Sequence, residues 1–397
     1  MERLFAKHRK KIQQTNLKFV RNFQQRIHWK DRLIGIKGGR GVGKTTLILQ
    51  HIKKNFKPGP DNLYVSLDDV YFSANRLIDC AEEFARYGGK YLFLDEVHRY
   101  PNWSQELKNL YDDYPELHIV FTGSSVLDII KSKADLSRRA MVYQMKGLSF
   151  REYLAVNGAL QVEAIPLESI LENHLQLADE VNKKIKPLKE FKKYLQSGYY
   201  PFFLEYPETY FQRLEQVINL VMEIDIPSLK PVDFDGVKKL KQLLYVISTS
   251  VPFKPNISKL SEKTRISRNS LVQYFHFLSD AEILNNLFRE TEGTSLLQKP
   301  EKVYFENSNL THTFSAGEPE AGNVRETFFI NQLKFDHQVN YSDRGDFLID
   351  RKYIFEVGWN NKDGNQIINM DNAYLALDNL EYGFGNKIPL WMFGFLY

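Results

Sequence analysis

The sequence predicts an α/β fold built on a parallel sheet and continued by helical and mixed α/β parts, and three observations predict it. Apolar runs of strand length, near residues 33–36, 62–66, 90–94 and 118–121, alternate with helical patterns. Each run ends in glycine, acidic or small polar residues, at the strand ends where such sheets present their chemistry. At 397 residues the chain has length for two or three domains.

The elements follow in order. Residues 1–30 are basic and patterned as helix, with Lys7, Arg9, Lys10, Lys11, Lys18, Arg21 and Arg26 among apolar positions. Charge alone does not make this segment a nucleic-acid arm, because a solvated helix face has the same composition. Next comes the run from Leu33 to Gln50, and inside it Gly38 to Thr45 reads G-x-x-x-x-G-K-T. Glycines let a backbone wrap phosphates so that N–H groups and a helix N-terminus point at them. The loop amides of Gly38, Gly39, Arg40, Gly41, Val42 and Gly43, with Lys44, Thr45 and Thr46, are therefore expected to bind a nucleoside triphosphate. Lys44 would reach the β/γ-phosphates, and the Thr45 hydroxyl would ligate Mg²⁺. The apolar strand before the loop and the helical pattern after it supply the context the motif requires.

A helical pattern from residue 74 to 87 stops at Gly88-Gly89, and the next strand, 90–94, delivers Asp95 and Glu96 at its end. A strand buried on both faces reads as such an apolar run. Asp95 is expected to hold Mg²⁺ through water, and Glu96 to polarise the attacking water as general base. The strand at 118–121 leads into Thr122, Ser124 and Ser125. Ser124 is the candidate sensor of the γ-phosphate, with Thr122 and Ser125 behind it. Arg138 and Arg139 are candidates to stabilise transition-state charge, in cis or from a neighbouring subunit.

The order GGRGVGKTT, YLFLDEVHRYPNW, IVFTGSS, LSRRA, GLSFREYL resembles prokaryotic AAA-type P-loop ATPases with a restriction-endonuclease-like C-terminal region of unassigned role. Softer signs continue downstream, in SGYYP at 197–201 and EIDIP at 223–227. The resemblance implies a P-loop AAA-type parallel sheet (1–146), a helical lid (147–231), a winged-helix module (232–298) and an α/β nuclease-like domain (299–397).

Within the module, residues 256–278 read as helix-turn-helix. A second helix begins after Ser267, apolar through Leu271, Tyr274, Phe275 and Leu278, and a wing starts near Ala281. Its exposed face would offer Arg268, Asn269 and Gln273 to a DNA major groove. In the last hundred residues Glu326 lies on a helix, Asp346 before a strand and Glu356 on the next. This is the restriction-nuclease arrangement, in which carboxylates bind Mg²⁺ and a lysine two residues after the last acid steadies water or phosphate. Here that lysine position is Gly358, with Lys362 the nearest replacement, so the three acids are read as a vestigial set on a non-cleaving fold.

Composition bounds the function further. The apolar fraction of 43%, the charged fraction of 26% and the net charge of +4 are those of an ordinary globular protein. The single cysteine, Cys80, excludes an internal disulfide and a cysteine zinc site, and is expected as a small buried residue. No apolar run is long enough to span a membrane and no secretory signal opens the chain, so a cytoplasmic location is expected. The apolar end, 388–397, is expected as a strand docked in a core.

The leading expectation is a Mg²⁺-dependent, ATP-hydrolysing switch with ATP, duplex DNA, an unidentified protein partner and copies of itself as candidate partners. The alternatives are an ATP-gated DNA nuclease and a non-hydrolysing nucleotide-bound regulator of DNA binding. The Asp-Glu pair and the lack of an Asn-Lys-x-Asp segment favour ATP over GTP.

Overall fold

The computed structural model describes residues 1–126, 136, 138–249, 252–290, 298–368 and 370–397. The chain divides into two compact units, Met1–Lys146 with Ser228–Pro231, and Gly147–Pro227 with Val232–Tyr397.

The first unit contains α1 (Glu2–Gln14), α2 (Phe23–Arg26), β1 (Leu33–Gly38), α3 (Lys44–Asn55), β2 (Asn62–Ser66), α4 (Leu77–Arg86), β3 (Tyr91–Asp95), α5 (Trp103–Asp113), β4 (His118–Ser124) and β5 (Met141–Gln144). The strands form one sheet in the order β2-β3-β4-β1-β5, each neighbouring pair parallel. Parallel neighbours need long crossovers, which α3, α4 and α5 provide. The apolar faces of α4 and α5, with Leu4 of α1, close a core containing Leu33, Leu63, Leu92, Ile119, Phe84 and Leu107. Cys80 is buried in it, as expected for a small apolar side chain. The registers Gly38↔Ser124 and Ser66↔Asp95 align the C-terminal strand ends along one edge of the sheet.

The second unit contains α6 (Phe150–Val156), α7 (Leu167–Asn182), α8 (Pro187–Ser197) and α9 (Tyr210–Leu220). A π-type turn, Val221–Asp225, runs into α10 (Ile226–Leu229) at the crossing to the first unit. Then follow α11 (Phe234–Ser248), α12 (Ile257–Thr264), α13 (Arg268–Asp280), β6 (Leu284–Leu287), β7 (Lys302–Phe305), α14 (Ser308–Phe314) and α15 (Ala321–Leu333). Strands β8 (Val339–Tyr341), β9 (Phe347–Ile349), β10 (Tyr353–Trp359), β11 (Ala373–Asp378) and β12 (Lys387–Pro389) complete it. They form a mixed sheet in the order β12-β11-β10-β9-β8, parallel from β10 to β12 and antiparallel from β8 to β10.

Two expectations about this half change. Residues 147–227 do not stand apart from the C-terminal region: Phe150, Leu154, Leu167 and Phe191 share one core with Phe328, Phe355 and Trp391. The ring of Phe191 lies 4.7 Å from that of Phe328, and Phe150 lies 5.8 Å from Phe395. An amphipathic helix must bury its stripe somewhere, and sequence pattern does not name the partner surface. Likewise β7 does not open a separate domain at 299, because it pairs antiparallel with β6 as a ribbon directly after α13. The apolar C-terminus is buried, yet only Lys387–Pro389 is strand; Leu390–Phe395 turns as 3₁₀-helix.

Candidate functional site

The loop between β1 and α3 is shaped by backbone needs that only glycine meets. Gly41 and Gly43 adopt φ of 85° and 99°, the left-handed region disfavoured for residues with a Cβ. Gly38 has a different reason: a Cβ there would lie 2.2 Å from the Met145 carbonyl oxygen, where the chain leaves β5 and donates Met145 N–H to Lys37 O at 2.8 Å. Lys44, at the N-terminus of α3, is 6% exposed and its ammonium donates to the carbonyls of Gly38 (2.7 Å) and Gly39 (2.9 Å). The basic N-terminal segment supports the loop from behind. Arg21 is buried and donates to Val42 O at 3.3 Å and Lys146 O at 2.6 Å.

The acidic pair sits where β3 ends. The buried Asp95 carboxylate accepts the Thr45 hydroxyl (2.7 Å) and the Tyr64 hydroxyl (2.7 Å) on Oδ2, and the Thr122 hydroxyl on Oδ1. Burial first, then the Asp95 charge, holds the Tyr64 phenol far above its ordinary range, so it remains a donor. Glu96 adopts φ 57° and ψ 44°, a costly conformation for a residue with a side chain, and its N–H donates to Thr122 Oγ1 at 3.0 Å. His98 stands next to it, buried. Its Nε2 lies 3.5 Å from Glu96 Oε2, and its Nδ1 faces the Ser124 N–H at 3.3 Å.

A Mg²⁺ carried with a nucleotide needs few protein oxygens, because it keeps waters and takes phosphate oxygens. Thr45 and Asp95, in direct contact at the head of α3, are the residues that would hold such an ion. Among the described residues no group of three His, Cys, Asp or Glu could hold a metal without such help. With the ion bound, local positive charge would be supplied at the phosphates.

Other expected residues fall differently. Thr122 rather than Ser124 touches the acidic pair by its side chain; the Ser124 hydroxyl faces Val126 N–H at 3.4 Å. Arg139 makes two bonds to Asp112, 2.9 and 3.0 Å, at the C-terminal end of α5. It immediately precedes β5, whose Met141 pairs with Ile34 at the start of β1. Arg138 and Arg139 therefore lie at the N-terminal edge of the sheet, a strand length of roughly 15 Å from the loop. That separation removes them as arginines acting in cis, and their order in the sequence gave no sign of it. A cavity of about 1280 Å³ lined by Phe5, Ile12, Ile52, Phe56 and Phe84 is at the far end of α3, so it is not the phosphate site.

Sequence reasoning missed Tyr64 and His98. The strand pattern held Tyr64 as an ordinary β2 residue; only the register beside β3 puts its hydroxyl on Asp95. The histidine two residues after Glu96 was visible, but nothing in spacing tied it to β4.

In the second unit α12 and α13 follow α11 and lead into the β6–β7 ribbon, with Leu271, Phe275 and Leu278 buried and Tyr274 half-buried. Arg268, Asn269 and Gln273 are exposed on α13. Glu326, Asp346 and Glu356 are brought together, with Lys362 at 3.0 Å from Glu356.

A glycine loop, a helix N-terminus and a strand-end Asp-Glu pair on one edge of a parallel sheet are the parts of a nucleotide-binding P-loop core. Residues 30–154 match the family described as AAA domain, and residues 188–320 match a domain of unknown function, DUF8612. The uncharacterized protein MJ1637 of Methanocaldococcus jannaschii is 29% identical over 289 residues, which is 70% of this chain and 61% of that protein. The chain thus spans about three fifths of that relative. PCH-2 of C. elegans (18% identity, 43% of this chain, 50% of that one) superposes with a TM-score of 0.24. AMPPCP-bound DnaA of Aquifex aeolicus (17% identity, 62% and 81%) also gives 0.24; overlaps this loose carry no argument. Among the described residues no helix is long and apolar enough to cross a membrane.

Proposed function

We propose that this chain is a Mg²⁺-dependent, ATP-hydrolysing switch of AAA type that passes its nucleotide state to a DNA or protein partner. The observation that carries the reading is the 2.7 Å contact between Thr45 of the loop helix and Asp95 of the acidic strand end. It joins two motifs that are 50 residues apart in sequence. Loop amides and Lys44 hold phosphates, Thr45 and Asp95 the metal, and Glu96, at the end of β3, orients the attacking water. Thr122 ties Asp95 to the Glu96 amide, and with Ser124 is the candidate to report the γ-phosphate. The arginine for transition-state charge comes from a neighbouring copy, which makes the active form an oligomer.

In the second unit α11–α13 and the ribbon are a winged helix offering Arg268, Asn269 and Gln273 to duplex DNA, and residues beyond it form the nuclease-like fold. The test is steady-state ATP hydrolysis with Mg²⁺, with and without duplex DNA. Glu96→Gln is expected to lower turnover by roughly 100-fold or more while ATP binding persists, and Lys44→Ala to weaken binding itself. No turnover in wild type under any of these conditions, despite ATP binding, would sink the hydrolytic reading.

A further inference from the structure

His98 sits beside Glu96 on the 3₁₀ turn Val97–Arg99 between β3 and α5, with its side chain 1% exposed. Its two ring nitrogens face different elements. Nδ1 lies 3.3 Å from the Ser124 amide nitrogen at the end of β4, and Nε2 lies 3.5 Å from Glu96 Oε2. Strand β3 pairs with β4 as far as Leu94↔Phe121, and the imidazole takes the Ser124 N–H beyond the end of that pairing.

That amide decides the tautomer. A backbone N–H only donates, so Nδ1 accepts, and the single proton of a neutral imidazole is on Nε2. With the proton on Nδ1 instead, two hydrogens would meet at Ser124 and a lone pair would face the carboxylate, which is unfavourable on both sides. A buried ring N–H needs an acceptor, and this one faces the proposed general base. At 3.5 Å the contact is longer than a formed hydrogen bond. Catalytic contacts commonly have that length until substrate tightens them. Glu96 needs such a hold, because its side chain is 22% exposed and its backbone is in the left-handed region at φ 57°. Two arms from the end of β4 supply it. Thr122 Oγ1 accepts the Glu96 N–H at 3.0 Å, and Ser124 orients the imidazole that faces the carboxylate. Ser124 is also the register partner of Gly38, where the phosphate loop begins.

We propose that His98, as the Nε2–H tautomer set by Ser124, is the positioning residue that aims Glu96 at the attacking water, an inference that rests on the ATP-hydrolysing reading. Donation from Nε2 to Glu96 Oε2 fixes the carboxylate and leaves Oε1 to act. In the step, the water oxygen bonds to the γ-phosphorus as the bond to the β,γ-bridging oxygen breaks. The electron pair of that bond leaves on ADP, and the water proton goes to Oε1. His98 neither gains nor loses a proton, so it acts through Glu96 and through the end of β4.

The test compares ATP turnover and ATP affinity in the full chain for wild type, His98→Ala, His98→Gln and His98→Asn, each also combined with Glu96→Gln. His98→Ala is expected to lower kcat roughly 10- to 100-fold while KM for ATP changes less than about 2-fold. His98→Gln puts an amide N–H near the Nε2 position and should restore most of the rate. His98→Asn offers only an oxygen near the Nδ1 position and should not. With Glu96→Gln already present, losing the imidazole should cost less than about 2-fold more, because its effect runs through the carboxylate. Unchanged circular dichroism and ATP affinity separate these losses from misfolding. Nitrogen NMR of labelled histidine reads the tautomer directly, with the proton expected on Nε2. A proton on Nδ1, rescue by Asn as good as by Gln, or a full further loss in the Glu96→Gln background would each overturn the proposal. Wild-type turnover that His98→Ala leaves unchanged would remove this proposal alone; no turnover in wild type would remove the hydrolytic reading and this proposal with it.

Discussion

Asp95 is met by three hydroxyl groups, and each is a separable handle on the site. Tyr64 is 3% exposed and gives its only polar atom to that carboxylate. Removing one donor from a buried acceptor leaves desolvation uncompensated, so Tyr64→Phe is expected to lower stability by about 1–3 kcal/mol. Urea unfolding of wild type and variant checks it; equal midpoints would mean that the hydroxyl contact contributes nothing. At Gly38 the obstacle is backbone, not a flexible side chain. Gly38→Ala must push the Met145 carbonyl away from β1, at a cost of about 3 kcal/mol or more, and spoil the loop with it. Loss of soluble protein or of ATP binding is the expected result. A variant that binds ATP like wild type would show that the Lys37–Met145 pairing is dispensable.

Among the elements, α1 and α3 are docked through neutral histidines. His8 Nδ1 on α1 faces the Tyr64 N–H of β2 at 3.0 Å, and His51 on α3 stacks on Trp29 at 3.5 Å. Burial, helped by Arg9 and Lys54 respectively, pushes both imidazoles from 6.5 down to about 4. The unfolded chain then takes up protons before the folded one does. Stability from these two groups is complete above their unfolded pKa and is lost as pH falls from 6.5 toward 4. Thermal unfolding followed through this range is expected to show a falling midpoint. The His8→Gln/His51→Gln double variant should fall less steeply, and parallel profiles would remove the histidines from the explanation.

Across the whole molecule, the shared core joining residues 147–227 to the C-terminal sheet makes a strong demand. Phe328 on α15 is 2% exposed, with Phe191 and Tyr194 of α8 at ring distances of 4.7 and 6.0 Å. Phe328→Ala opens a cavity expected to cost about 3–5 kcal/mol. Hydrogen exchange should then rise in α8 as well as in α15. Faster exchange confined to α15 would mean that the helices and the sheet fold independently. The first unit holds its own core and also claims the short Ser228–Pro231 segment, so the chain passes between units three times.

Sequence by itself determined local structure in this protein. The glycine-rich turn from Gly38 into α3, and the placing of Asp95 and Glu96 at the end of β3, were legible because both depend on contiguous residues and short-range backbone geometry. The strands and most helices were legible for the same reason, through their apolar period. Tertiary structure alone decided what lies across long gaps. It put Tyr64 and Thr122 on Asp95, carried Arg138 and Arg139 to the wrong edge of the sheet, merged the expected lid with the C-terminal core, and brought Lys362 into the space above Gly358. Each of these depends on strand order, register or a turn between elements, and side-chain spacing along one segment does not encode them.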